Sequence, residues 1–482
     1  MEKIFVFIYF ALLFYIAFYG LHLYYLISIY LKNSREAIPS TAALSRYPMV
    51  TVQLPIYNER AVAARLIKTI AAFDWPQDKL EIQVLDDSDD DTISIVTKET
   101  ARLAQLGFNI KHIRRGNRRG YKAGALAFGM NQAKGDYIAI FDADNIPHPD
   151  FLKRLMPFFD DPRMGMVQAR WSFLNREQSL LCRAQALFLD AHFFVEQASR
   201  SRGGLFMNFN GTAGLWHRQA IEDAGGWQAD TLTEDLDLSY RAQLAGWKMI
   251  LAEEVDVPTE LPATIRSFKT QQYRWARGAV ETAIKVLPKV LRSPLPLKVK
   301  ICSCFHLTQK STSLALILLS IFLIPALYIR VEGGMLKLLL IDLPIFLAGT
   351  GSMSLFYGLA FRRQRELHSL KNKLVLPLIT SIGIGLSVNN SLAVISAIFC
   401  GKGTFIRTPK SGSTTNDIVR IPTEYRIRSD KTVTIEVILA IYSALAVGSA
   451  VFLNLYWSIP FLMTFAFGYF YFSWQSLREQ YA

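Results

Sequence analysis

Ile4 to Leu31 is a run of 28 residues without a formal charge, and nothing else in the chain limits its fold more. A spanning helix needs about 20 apolar residues, whereas the core of a cleaved leader runs to about 7–15. The run therefore reads as a transmembrane anchor, residues 1–31. Apolar runs return at Ser311–Ile329 and Leu343–Phe361, and Val437–Leu477 is 41 uncharged residues, enough for two passes with Trp457-Ser458-Ile459-Pro460 as the turn between them. Five spans follow. Between the first and the second lies a polar stretch of ordinary charge density, so a soluble domain, 32–300, is inserted between membrane segments, and 301–482 forms a C-terminal membrane region.

Composition agrees: 51% hydrophobic with 19% charged is too apolar for a soluble pair of domains. Fifty-three Lys and Arg against 40 Asp and Glu give +13, which suits an anionic membrane face; no basic-aromatic surface motif accompanies the charge, so nucleic acid is not an expected partner. Arg362, Arg363, Arg365, Lys371 and Lys373 crowd one connection while Arg330 to Gly334 carries little charge, which puts the basic connection and the large domain in the cytosol of an integral membrane protein. Leu374–Gly401 is also uncharged, but crossing there would export 402–431, with seven Lys or Arg against three acids. It is expected to be re-entrant or interfacial, with Gly383, Gly385, Asn389 and Asn390 breaking a lipid-facing helix and Asn389–Cys400 lying along the inner face. The four cysteines lack paired spacing and read as reduced and structural. His112, His148, His192 and His217 show no ligand spacing and read as structural or surface residues.

From Met49 the pattern is strand, turn, helix, strand, which predicts a parallel sheet with crossover helices. Ligands of such sheets bind beyond the carboxyl ends of the strands, and three acidic clusters follow predicted strands or open helices there. Asp86 and Asp87 end Glu81-Ile82-Gln83-Val84-Leu85 and can accept hydrogen bonds from a base or ribose. Asp142-Ala143-Asp144 ends Tyr137–Phe141 and can hold a hard divalent cation that keeps other positions for water and phosphate. Thr233-Glu234-Asp235 opens a predicted helix. Each alone has a plainer reading, a solvated turn for the first two and an N-cap for the third.

The combination with Gln271-Gln272-Tyr273-Arg274-Trp275 decides between them. Gln53-Leu54-Pro55-Ile56-Tyr57-Asn58-Glu59, Leu85-Asp86-Asp87-Ser88, Asp142-x-Asp144, Phe209-Asn210-Gly211-Thr212, Thr233-Glu234-Asp235 and Gln271-x-x-Arg274-Trp275 together resemble the membrane-embedded, inverting family 2 glycosyltransferases of the cellulose synthase-like type, especially the cellulose-synthase-like A and C branches and their bacterial relatives. Phe405-Ile406-Arg407-Thr408-Pro409-Lys410 is similar to the Phe-x-Val-Thr-x-Lys gating loop of cellulose synthase, with Arg407 in place of the Val.

The resemblance implies an α/β GT-A (Rossmann-like) domain and a single displacement at the anomeric carbon of a nucleotide diphosphate sugar, UDP-glucose first and GDP-mannose next. It implies Asp235 as the base, flanked by Glu234 and Thr233. It places Asp86, Asp87, Lys122, Asp142, Arg274, Phe405, Thr408 and Lys410 at the nucleotide sugar, and Asp144 with Asp142 at Mg2+ or Mn2+. Trp275, Gln271, Phe209, Gly211 and Thr212 fall to the acceptor, Trp275 as a face for sugar C–H groups. Two enzyme readings share these residues: a processive synthase that extends a β-glycan and passes it through its own spans, and a single-transfer synthase that glycosylates a membrane lipid. A non-catalytic polysaccharide-export partner is opposed by the intact motifs.

Overall fold

The computed structural model describes residues 2–33, 46–333, 343–364, 375–401, 403–412, 430 and 432–481. Expectations resting on Arg365, Lys371, Lys373, Lys402 and 413–429 lie outside the described residues.

Seven strands form one sheet: β1 (Val50–Ile56), β2 (Leu80–Asp86), β3 (Ile110–Ile113), β4 (Tyr137–Ile140), β5 (Met164–Phe173), β6 (Gly214–His217) and β7 (Lys248–Thr259). Their order is β3-β2-β1-β4-β6-β5-β7. β1, β2, β3 and β4 are mutually parallel. β1 and β2 are almost wholly buried, as strands covered by helices on both faces must be. The sheet is not parallel throughout, because β6 runs antiparallel to both β4 and β5. The reversal begins at a turn with positive φ at Gly211 (82°) and Ala213 (58°). The core beneath includes Val52, Leu54, Phe141, Val167 and Trp216, with Phe356 and Phe472 from C-terminal helices joining the same cluster.

The helices that matter below are α1 (Glu2–Asn33), α2 (Tyr121–Met130), α3 (Glu234–Leu244), α4 (Ile265–Arg292), α5 (Val375–Phe399), α6 (Val433–Phe452) and α7 (Ile459–Tyr481). Among the described residues four helices, Ile4–Asn33, Leu343–Arg363, Leu378–Phe399 and Val433–Phe452, are long and apolar enough to cross a membrane, and a fifth span is available if the pair Leu297–Ile321 and Leu323–Ile329, bent by 59°, counts as one. α7 is 23 residues long, ends in the polar run Gln475 to Tyr481, and falls outside that set.

α5 corrects one expectation. It is an unbroken helix of 25 residues, about 37 Å at 1.5 Å per residue. Asn389 and Asn390 are buried, and Gly385 abuts Phe472 and the Gly468 carbonyl so closely that a Cβ would lie 2.4 Å from the ring. Gly385, Asn389 and Asn390 face protein, where the amides find partners and the glycine permits close approach, whereas a Cβ at Gly383 would meet open space. Asn389 Nδ2 donates to the Lys269 carbonyl at 3.0 Å, and Arg277 Nη1 donates to Ser396 Oγ at 2.8 Å. The second half of α5 thus runs alongside α4.

Lys269 on α4 ties this region together. Its ammonium donates to Asp430 (2.8 Å), Thr432 (3.1 Å), Glu436 (2.7 Å) and Ser476 (2.8 Å), all nearly sealed from solvent. Removing one member of such a cluster leaves the others charged and unpaired, at a cost of about 3–5 kcal/mol. Lys269→Met is expected to lower the melting temperature in detergent markedly, and adding Glu436→Gln should restore part of the loss; an unchanged melting curve for Lys269→Met would show the cluster to be dispensable.

Candidate active site

Parallel β1, β2 and β4 end at one edge of the sheet, and a cavity opens there. Tyr57 and Glu59 follow β1, Asp87 follows β2, and Asp142, Ala143 and Asp144 follow β4. α2 contributes Lys122, the loop into β6 Asn210, Gly211 and Thr212, the start of α3 Thr233, Glu234 and Asp235, and α4 Gln271, Arg274 and Trp275. The segment 403–412 closes over them with Phe405, Arg407, Thr408 and Lys410. Backbone strain collects here: Asn58 (φ 53°), Tyr121 (50°) and Ala213 (58°) hold left-handed conformations that β-carbons disfavour.

Each carboxylate on the strand-end side meets a cation. Arg115 Nε donates to Asp87 Oδ1 at 2.9 Å and Nη2 donates to Oδ2, a bidentate pair. Lys122 Nζ donates to Asp142 Oδ1 at 2.5 Å and to the Gly211 carbonyl at 2.9 Å. Asp144 Oδ2 accepts from Thr259 Oγ1 (2.6 Å), the Glu260 amide (2.9 Å) and Lys410 Nζ (2.9 Å), whereas its Oδ1 is buried and lacks a hydrogen-bond partner. Burial raises the Asp144 carboxyl, but the Lys410 ammonium and these donors outweigh it and hold it below the usual carboxylate range.

The loop is pinned at several points. Glu260 accepts from the Ser411 amide at 2.6 Å and the Gly412 amide at 3.0 Å, Arg65 Nη1 donates to the Gly412 carbonyl at 3.0 Å, and Phe405 lies 4.3 Å from the Arg274 guanidinium and 5.6 Å from the Tyr121 ring. Arg274 Nη2 donates to Thr408 Oγ1 at 3.3 Å. Arg407, which departs from the gating-loop pattern, donates to the Asn58 carbonyl and stands 3.9 Å from Glu59. Burial pushes the Glu59 carboxyl up to about 8 despite Arg407.

Asp235 sits at the amino end of α3, where its Oδ1 accepts from the Leu236 amide at 2.8 Å. Desolvation and the neighbouring Glu234 push its carboxyl up to about 7. Glu234 is raised too, by burial, although Lys122 pulls it back. A carboxylate with that titration and a clear path to the cavity can accept a proton near neutral pH.

Asp142 and Asp144 fit a divalent cation. The buried, unpartnered Asp144 Oδ1 is a free ligand position, and the ammonium on Oδ2 already shows the place accepting a cation. Among the described residues no three His, Cys, Asp or Glu side chains form a metal-holding group, so the remaining positions would fall to diphosphate and water, as Mg2+ or Mn2+ accepts.

Two of the expected site residues lie outside the cavity. Asp86 is the last residue of β2, and strand alternation turns it away from the side that Asp87 faces. It is 1% exposed, with His112 Nε2 at 2.8 Å and the Ser88 amide at 2.9 Å. Phe209 is fully buried, edge-on to Trp216 and against Gly214, so it packs the core beneath the loop that it opens. Thr212 is buried as well, but it lines the cavity floor and its Oγ1 accepts from the Asp142 amide at 2.8 Å.

Residues 48–278 match the family described as glycosyltransferase like family 2. The sheet domain, from Val50 to Thr259, lies wholly within that match to family 2 glycosyltransferases. The glucomannan 4-beta-mannosyltransferase 2 of Arabidopsis thaliana is 45% identical over 254 residues, 52% of this chain and 48% of that one. The probable glucomannan 4-beta-mannosyltransferase 11 of the same plant is 46% identical over 252 residues, 51% of this chain and 57% of that one. The chain spans about half the length of the curated relatives it matches. A mannosyltransferase from Pyrobaculum calidifontis, solved in complex with GDP-Man and Mn2+, has the same fold at a TM-score of 0.57 and 21% identity, covering 81% of this chain and 98% of its own.

Several lining residues went unnoticed in the sequence. Arg118 lines the cavity and stacks 3.4 Å from the Tyr57 ring centroid, while Arg115 clasps Asp87 from outside it; neither belongs to a motif. Glu260 and Trp171 carry no motif. Glu59 stood inside a quoted motif, and its place directly after a strand end was the available signal.

Gly211 has φ +82°, and a Cβ there would lie 2.8 Å from Asp235 Oδ2. Gly211→Ala is expected to cost about 1–3 kcal/mol through the strained backbone and to depress turnover beyond that by displacing Asp235. Thermal melting and nucleotide-sugar turnover measured together check this, and wild-type turnover in the variant would show Asp235 unaffected.

Proposed function

We propose that the chain transfers mannose from GDP-mannose to a growing β-1,4-linked glycan at the cytosolic face of a membrane, inverting the anomeric carbon in one displacement. The observation that carries this reading is the single cavity that gathers Asp235, the Asp142 and Asp144 pair, and Trp275. The donor rests on the relatives, which are named glucomannan 4-beta-mannosyltransferases. They reverse the order expected from the motifs, which put UDP-glucose ahead of GDP-mannose.

In this reading Asp235 accepts the proton of the attacking hydroxyl, a step typically worth about 10²–10⁴-fold. Lys122, Arg274 and Lys410 bring positive charge to the leaving diphosphate, while Asp87 and Phe405 flank the nucleotide. Trp275 gives the acceptor a flat apolar face, and Gln271 adds a hydrogen-bonding amide beside it. Asp144, with Asp142, would hold Mg2+ or Mn2+, which when bound supplies Lewis-acid neutralisation of the diphosphate. The apolar helices beside the domain shelter the polar product from hydrocarbon.

Purified protein incubated with labelled nucleotide sugars in liposomes tests the whole reading. A polymer that β-mannanase degrades is the expected product; a single sugar extracted into organic solvent with lipid would transfer the assignment to a glycolipid synthase. Chelator should stop turnover and Mn2+ or Mg2+ restore it, and full activity in chelator would remove the cation from the site.

The acid limb of kcat/KM reports the base. A base must be deprotonated to act, so the rate should rise as pH climbs through about 7, where Asp235 titrates. Asp235→Asn should abolish transfer with GDP affinity nearly intact; near-normal turnover would take Asp235 out of this role.

A further inference from the structure

His192, with no ligand spacing to distinguish it in the sequence, opens a π-helix, His192–Gln197, on the acceptor side of the cavity. In an α-helix residues five apart are turned about 140° from one another, whereas the i→i+5 repeat of a π-helix brings them back toward one face. His192 and Gln197 consequently grip the same side chain from two sides. Asn210 Nδ2 donates to His192 Nε2 at 2.9 Å, and Gln197 Nε2 donates to Asn210 Oδ1 at 3.0 Å.

Groups that can only accept fix the direction of every bond. Gln197 Nε2 also donates to the Asn208 carbonyl at 2.7 Å, so its amide nitrogen must face this loop. With Oδ1 taken by Gln197, Asn210 presents Nδ2, which can only donate, to His192 Nε2, so that ring nitrogen accepts and the ring N–H lies at Nδ1, 3.0 Å from Glu196 Oε2. Glu196 is itself ionised: burial pushes its carboxyl up, but Arg200, donating to Oε1 at 3.1–3.2 Å, holds it well below the usual range. The Asn210 carboxamide can therefore adopt one orientation only. One N–H goes to His192 and the other remains for the cavity that Asn210 lines. Asn210 directly precedes Gly211, whose added Cβ would touch Asp235, and both Asn210 and Asp235 line the one cavity at which the acceptor hydroxyl must arrive.

We infer that Asn210 orients the acceptor sugar by donating to one of its hydroxyls, and that His192, Glu196 and Gln197 are positioning residues which set that amide. The inference rests on the transfer reaction proposed above. It separates acceptor from donor: the clamp touches neither Asp87 nor Lys122, so its loss misplaces the sugar hydroxyl while the nucleotide sugar and Asp235 stay in place. Water needs no orienting amide, and hydrolysis of the donor continues.

The test measures, on the full chain in detergent, transfer from GDP-mannose to an added β-1,4-mannooligosaccharide, release of free mannose, GDP affinity and melting temperature. No transfer by the wild type would end the mannosyltransferase reading itself. With the wild type active, His192→Ala and Asn210→Ala should each raise the oligosaccharide KM about tenfold, as loss of one oriented hydrogen bond predicts, and raise the share of hydrolysis, with GDP affinity unchanged. His192→Gln, whose Oε1 can accept from Asn210, should recover part of the loss. Equal loss of transfer and hydrolysis, or a wild-type acceptor KM in Asn210→Ala, would overturn the inference. If His192→Ala does not fold, Asn210→Ala and Gln197→Met, both judged by the same KM and hydrolysis share, decide it.

Discussion

Carboxylates crowded at the end of one sheet cannot remain ionised unless cations are brought to them, and the rest of the structure follows from where those cations come from. Asp87 receives Arg115 from the loop before α2, Asp142 receives Lys122 from α2 itself, and Asp144 receives Lys410 from beyond α5. The last pair joins residues 266 positions apart. Unpaired charge at such buried positions costs several kcal/mol per group. The same concentration of negative charge that must be compensated at rest is what a divalent cation and a cationic cluster around a diphosphate require in action. Where compensation is incomplete, as at Asp235 beside Glu234, the proton affinity rises instead, to about 7. Compensation and its local failure divide the edge into a side of paired carboxylates and a side of raised proton affinity.

Much of this was legible in the sequence because chemistry at strand ends needs short, contiguous signals. Asp142-x-Asp144, Thr233-Glu234-Asp235 and Gln271-x-x-Arg274-Trp275 are each one turn or one helix face, and all fall in one cavity. Failures came where the deciding contact is distant. Asp86 and Asp87 read alike, and only the pleat of β2 sends one to His112 and the other to the cavity. Gly385 and Asn389 read as helix breakers because sequence cannot say that Phe472 and Lys269 lie against them. β6 lacks any sign of its antiparallel direction, which is set by left-handed backbone at Gly211 and Ala213. His192 was invisible for the same reason: its partner Asn210 is 18 residues away, and the π-turn that aims it has no sequence signature.

Arg407 illustrates how a departure from a motif can be read once contacts are known. A Val at that position could offer only a methyl surface. The guanidinium donates to the Asn58 carbonyl and approaches Glu59, so the loop is held to the end of β1 by a hydrogen bond as well as by the ring of Phe405 against Arg274. Lys410 binds the Asp144 carboxylate and Arg407 the Asn58 carbonyl, and the two contacts fix both ends of a four-residue stretch. The substitution strengthens the same closure that the pattern implies.

The helix that links this edge to the apolar region is α4. One stretch of it carries Gln271, Arg274 and Trp275 into the cavity, while Lys269 and Arg277, two residues before Gln271 and two after Trp275, bond to α6, α7 and the end of α5. Ion pairs and hydrogen bonds at both flanks leave no hinge between them: Pro288, the one interior proline of this helix, lies well beyond Arg277. Trp275 and the C-terminal helices therefore keep a fixed relation, and the loop that supplies Lys410 departs from the end of α5 within reach of Arg277, which donates to the Gly401 carbonyl. In the proposed reaction a sugar stacked on Trp275 would be held by the same rigid element that anchors the C-terminal helices, so those helices would set the position of the acceptor and the sheet that of the donor. Those two frames of reference meet at the cavity wall that carries Asp235, the residue proposed as the base.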